Sequence, residues 1–235
     1  MLFPLRDINP TRTTPVLTYA IIAANVLVFV HQLTLGLGTA ASQHFAYRYG
    51  LVPAYLLAGD ERRWLTPFTS MFMHGGLVHL LGNMWFLHIF GDNIEDALGK
   101  IRFALFYVAC GLAAAAAQVV IDPGSQVPMV GASGAIAGVL AAYMRLYPRA
   151  RIVLGLWLIV VLLDFRVPAW VCILVWFGFQ LLDGLDALHM GVSASGGVAV
   201  FAHIGGFLAG MMLVSRLARR RNSTRGFRTP GSYGY

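Results

Sequence analysis

Apolar residues gather in six stretches along the 235-residue chain, at about 16–35, 72–91, 102–121, 131–147, 167–183 and 199–215. At 1.5 Å per residue, a helix of such length crosses most or all of a hydrocarbon layer roughly 30 Å thick, so the pattern predicts six transmembrane helices. The first run exceeds the roughly 7–15 residues of a signal-peptide core. It is expected to remain as a helix, even though the small residues from Gly38 to Ser42 resemble a cleavage site.

The segments between the runs differ in character. Residues 1–15 form a polar lead with prolines and arginines. Residues 36–71 mix aromatic, apolar and polar positions around Asp60-Glu61-Arg62-Arg63-Trp64, the pattern of a structured loop held at the membrane interface by its aromatics. Residues 149–166 begin and end basic around IVLGLWLIVVLL, which fits an interfacial or re-entrant element. The stretch 184–199 is loose and rich in Gly and Ser. The expected organisation is a cytoplasmic lead (1–15), a membrane domain (16–217) and a basic, disordered cytoplasmic tail (218–235).

Composition strengthens this reading. Hydrophobic residues make up 58% of the chain and charged residues 11%, against about 25% charged in a soluble domain. Cys110 and Cys172 both lie inside apolar runs, where they read as packing residues rather than a disulfide. The net charge of +7 does not point to nucleic acid, because of where the cations fall. With six spans, one side carries all of the 17 lysines and arginines except Arg48, Arg62 and Arg63. The positive-inside rule then puts both termini in the cytoplasm. No Arg/Ser-rich amphipathic segment precedes the first run, so a prokaryotic plasma membrane is the expected location.

Four polar residues interrupt the apolar runs: His79, Asn83, Ser133 and His203. A charged or strongly polar side chain at mid-bilayer costs about 2.5–3.5 kcal/mol on insertion scales, so such residues face the bundle interior and mark function. Ser133 sits in Gly131-Ala132-Ser133-Gly134 at the start of the fourth helix. Flanking glycines let the backbone turn and expose a nucleophilic hydroxyl, and the free N–H groups of a helix start favour developing negative charge. Ser133, Ala137 and Ala141 share one small face, which by itself reads as a packing surface between membrane helices.

His203 changes that balance, since it shares a face with Gly206 and Gly210 on the sixth helix. If the small faces of the two helices meet there, the imidazole can take the serine proton and return it to a leaving amine. His79 and Asn83 stand one turn apart on the second helix and can donate toward an oxyanion beside the Ser133 backbone N–H. His74 lies off that face and is expected to order the entering loop. Glu95, roughly 24 Å along the helix from His79, is expected with Gly91 and Gly99 to hold a tight helix–loop junction at the cytoplasmic end.

Over about residues 63–212 the chain resembles the rhomboid family of intramembrane serine proteases. The resemblance rests on His74…His79…Asn83, Gly131-Ala132-Ser133-Gly134, and Ala202-His203 with Gly206 and Gly210, together with Gly91…Glu95…Gly99. It implies an all-α, six-helix membrane bundle with an interfacial first loop and a Ser133–His203 dyad lacking an aspartate. It also implies an oxyanion hole from His79, Asn83 and the Ser133 backbone, and a water-filled cavity open to the non-cytoplasmic side. The fifth helix and the loop 184–199 would admit a substrate's transmembrane segment. The implied partners are transmembrane protein substrates and the lipid bilayer, with no nucleic acid, cofactor or metal.

Two departures stand out. The Trp-Arg pair common in the family's first loop is reversed here, as Arg63-Trp64. Some members stack a tyrosine on the histidine from the position four residues after the serine; here that residue is Ala137, so another group must orient His203. A transporter would be expected to show repeats or paired broken helices, and a His74/His79/His203 metalloprotease lacks an H-E-x-x-H helix.

Overall fold

A computed structural model describes residues 2–158, 161–190 and 200–218. Its elements run from strand β1 (Leu2–Ile8) to the long helix α1 (Val16–Thr34), then through the short helices α2 (Ala40–Tyr49), α3 (Pro53–Leu57) and α4 (Thr66–Thr69). Two 22-residue helices follow, α5 (Leu77–Leu98) and α6 (Lys100–Ile121). Next come α7 (Ser133–Leu146), strands β2 (Arg151–Leu158) and β3 (Val161–Pro168), α8 (Ala169–Met190) and α9 (Val200–Leu217). Among the described residues, three helices, α1, α6 and α9, are long and apolar enough to cross a membrane. Helix α7 and the first part of α8, Ala169–Phe179, are apolar but shorter. Of the Gly/Ser stretch expected to be loose, residues 184–190 instead continue α8, while 191–199 and the tail from 219 onward lie outside the described residues.

The mostly helical expectation holds, but the purely helical one is corrected. Residues 2–8, 151–158 and 161–168 form a three-stranded antiparallel sheet in the order β1-β2-β3. The segment 149–166, expected as an interfacial or re-entrant element, falls mostly in the β2–β3 hairpin, and the polar lead supplies β1. The hairpin run is rich in valine and isoleucine, whose branched Cβ favours strands. Strand β1 lies alongside α5. Trp85 Nε1 donates to the Pro4 carbonyl at 2.6 Å, and Asn93 Nδ2 donates to Asp7 Oδ2 at 3.0 Å. Eight helical residues advance about 12 Å and three strand residues about 10 Å, so the strand runs along the helix axis rather than across its end.

Small residues set the packing at the bundle centre. A Cβ added at Gly206 would fall on the Gly134 carbonyl, and one at Gly210 on the Gly138 carbonyl. Helices α7 and α9 therefore meet backbone to backbone. The contact face on α7 is Gly134/Gly138, one position round from the Ser133/Ala137/Ala141 face expected from sequence. That offset leaves the Ser133 side chain at the rim of the contact instead of beneath α9.

Helix α5 carries a second small-residue face. At Gly91 an added Cβ would meet Thr18 Cγ2 at 3.0 Å, so α1 and α5 approach closely there. One turn on, Glu95 accepts from the Leu17 N–H (3.0 Å), the Thr18 N–H (2.7 Å) and the Thr18 hydroxyl (2.8 Å). Pro15, which precedes α1, offers no side-chain cap. Glu95 thus caps a different helix, whereas the sequence suggested a local helix–loop junction. The turn of that junction is made by Gly99, at φ +79° between α5 and α6, with its N–H bonded to the Glu95 carbonyl at 2.7 Å.

Candidate active site

Helix α7 begins at Ser133, and no side chain caps its start. Its first N–H groups have no partner within the helix, which is the arrangement that attracts negative charge. Gly131 supplies the turn into it, with φ +134° and its N–H bonded to the Ser70 carbonyl at 2.9 Å. Across the glycine contact, α9 brings His203 to the serine: His203 Nε2 and Ser133 Oγ are 2.7 Å apart, although 70 residues separate them in sequence.

The histidine's setting fills the gap left by Ala137, which is fully buried and has no ring to offer. The Trp176 indole of α8 lies with its centroid 6.0 Å from the His203 ring. One turn beyond His203, Phe207 stacks on Phe177 at 4.1 Å. Neither aromatic contact is readable from spacing, because α8 has no fixed sequence offset from α9.

Helix α5 forms the opposite wall. A Cβ built on Gly131 would lie 3.0 Å from the His79 Nε2 and 3.5 Å from Ser133 Oγ, so any side chain there would wedge between the two. Asn83 donates to the His79 carbonyl at 3.0 Å. His79, Asn83, Gly131, Ser133, Trp176 and His203 line one cavity of about 550 Å³.

His74 stays outside that cavity. It is fully buried, with its ring edge-on to His79 at 5.1 Å between centroids. The Gln32 side chain of α1 grips its backbone in both directions: the His74 N–H donates to Oε1 at 3.1 Å and Nε2 donates to the His74 carbonyl at 3.0 Å. These two bonds tie the His74 main chain to α1 just before α5 begins. Gln32 was not singled out from sequence, although it is a polar residue inside an apolar run like the others. Among the described residues, no group of three or more metal-ligating side chains clusters.

Apolar helices of membrane-crossing length, joined around a hydrogen-bonded serine–histidine pair in a cavity, define a membrane protein with the constellation of a hydrolase. The Rhomboid domain family matches residues 61–220. The chain is 30% identical over 180 residues to RHOMBOID-like protein 6, mitochondrial, of Arabidopsis thaliana, covering 76% of this chain and 52% of that protein. It is 33% identical over 130 residues to Rhomboid protease GluP of Bacillus subtilis, covering 55% of this chain and 24% of GluP. It is also 33% identical over 78 residues to Inactive rhomboid protein 1 of Drosophila melanogaster, covering 33% of this chain and 5% of that protein. The chain thus spans about half the length of the first of these relatives and less of the others. It belongs to the rhomboid family.

Proposed function

We propose that this protein is an intramembrane serine endopeptidase that cleaves transmembrane segments of membrane-protein substrates. The 2.7 Å contact between Ser133 Oγ and His203 Nε2, at a cavity among apolar helices, carries the reading. In this mechanism Ser133 Oγ attacks the scissile carbonyl carbon while its proton passes to His203 Nε2. The carbonyl oxygen takes the negative charge and is met by the Ser133 N–H, His79 and Asn83. The C–N bond then breaks, the amine leaves with the proton from His203, and an ester to Ser133 remains. A water molecule deprotonated by His203 attacks that ester, and the proton returns to Ser133 as the acid product leaves.

The same reading has six membrane spans formed by α1, α5, α6, α7, α8 and α9, with both termini in the cytoplasm of a prokaryotic cell. The distribution of lysine and arginine between the two sides supports it. Substrate enters between helices, past α8 and the 184–199 stretch.

Cleavage of a labelled transmembrane substrate in proteoliposomes tests the mechanism. Ser133→Ala and His203→Ala are each expected to lose at least about 10³-fold in rate while keeping wild-type thermal unfolding. Cleavage surviving in folded Ser133→Ala would sink the serine mechanism. A wild type silent against several helices would favour a client-binding role without proteolysis; one relative is itself named an inactive rhomboid protein.

A further inference from the structure

The arginines that bracket the apolar run of residues 151–168 come together when that run folds as a hairpin. Val153 pairs with Arg166 on one side and with Arg6 of β1 on the other. Residues paired across antiparallel strands project from one face, so Arg6 and Arg166 share a face roughly 10 Å apart, two strand spacings. Arg151, two residues from Val153, joins them roughly 7 Å along the strand. All three are exposed. Val153 between them is buried yet stands outside the apolar core, which is what the stems of flanking arginines produce. The alternate residues Ile152 and Leu154 join the core, so the arginine face looks away from the bundle.

None of the three arginines forms an ion pair with another of the described residues. Among the described residues the ion pairs all involve Asp60, far along the chain. The register puts one carboxylate, Asp164 opposite Gly155, on this face, while Asp7 is turned to the other side, toward Tyr143. Three guanidinium groups held within roughly 10 Å repel one another, and an anion seated among them removes that repulsion.

The position of the face decides which anion. Strand β1 lies along the flank of α5, with Asp7 level with Asn93, so the arginines look sideways near the end of α5 rather than along the bundle axis. Beyond them β2 continues as apolar sequence and β3 is apolar apart from Asp164. Apolar strands with a cationic foot match the boundary between acyl chains and headgroups, on the side that carries most of the chain's cations. The geometry points to the Arg6/Arg151/Arg166 face as a binding site for the phosphate of anionic phospholipids. The inference rests on the membrane orientation proposed above and is independent of the dyad.

Thermal unfolding of the full chain in neutral detergent, with added dioleoylphosphatidylglycerol, dioleoylphosphatidylcholine or inorganic phosphate, tests it. Phosphatidylglycerol is expected to raise the wild-type Tm by about 3 °C or more, with no comparable rise from the other two. Arg6→Gln/Arg151→Gln/Arg166→Gln loses most of that rise, the triple Lys variant keeps it, and so does Arg48→Gln/Arg62→Gln on the opposite side. The basic tail is present throughout, so its own contribution cancels. Should the triple Gln variant fail to fold, Arg166→Gln alone must show a reduced rise. A full rise in the Gln variants, or none in wild type, overturns the site. An equal rise with inorganic phosphate overturns the lipid assignment in favour of a free anion.

Discussion

Around the nucleophile, the space left by one missing side chain matters as much as the side chains present. Gly131 faces both His79 and Ser133 and holds a φ that L-residues rarely adopt. Asn83 lies on the same wall, its amide resting on the His79 carbonyl. If it donates to the oxyanion, Asn83→Ala lowers kcat by about 10²-fold or more while KM stays within a few-fold. Steady-state kinetics on a transmembrane substrate checks this, and a loss confined to KM would remove Asn83 from the oxyanion hole. At this scale the sequence was legible wherever a polar residue broke an apolar run: His79, Asn83, Ser133 and His203 all line the cavity. The same rule extends to Thr18 and Gln32, which prove to anchor Glu95 and His74. Trp176 was beyond its reach, because an aromatic in an apolar helix looks like any lipid-facing or core residue until its neighbour is known.

Helices meet here through what their glycines omit and through one carboxylate. Gly91, Glu95 and Gly99 recur at every fourth residue of α5, and the fold uses them for three tasks: close approach of α1, capping of α1, and the turn into α6. Hydrogen bonds to a charged group contribute about 1.5–3 kcal/mol each, and those of Glu95 overlap, so Glu95→Ala is expected to cost about 3 kcal/mol. For a chain of this size that lowers Tm by roughly 6–12 °C, with Glu95→Gln falling between the two. A shift of under about 1 °C in Glu95→Ala would mean that the clamp contributes nothing. The repeat was visible in the sequence. Its meaning was not, because the residues it serves, Leu17 and Thr18, lie nearly eighty positions away and carry no mark of the pairing.

Over the whole molecule, the sheet ties the two ends of the chain's middle together. It joins the N-terminus to the segment between α7 and α8, and its pin is Asp7. The Tyr143 hydroxyl donates to Asp7 Oδ2 at 2.6 Å, beside the Asn93 amide. Burial pushes the Asp7 carboxyl up to about 6, against the Tyr143 bond that favours its charge, and the Asp92 carboxylate adds to the rise. A carboxyl raised on folding binds its proton more tightly in the folded chain, so its stabilising effect is complete below about pH 4 and lost as pH climbs through about 6. Asp7→Asn, which mimics the protonated form, should therefore gain Tm over wild type at pH 8 and show little difference at pH 4. Equal Tm differences at both pH values would assign the pin no role in titration. The sheet was the least legible part of the fold. An apolar run bracketed by arginines serves a re-entrant helix as well as a hairpin, and the partner of β1 lies more than 140 positions further along the chain.

That separation has a consequence for how the protein is made. Ile8 pairs with Arg151, so β1 has no partner until about 140 further residues have been synthesised. At about 5–20 residues per second the wait is roughly 7–30 s. Through that interval the N-terminal segment must be kept from pairing with other chains, and the flank of α5 is not sealed until the hairpin arrives. In the order of assembly, β1 settles only after the helices between it and its partner strand have been made.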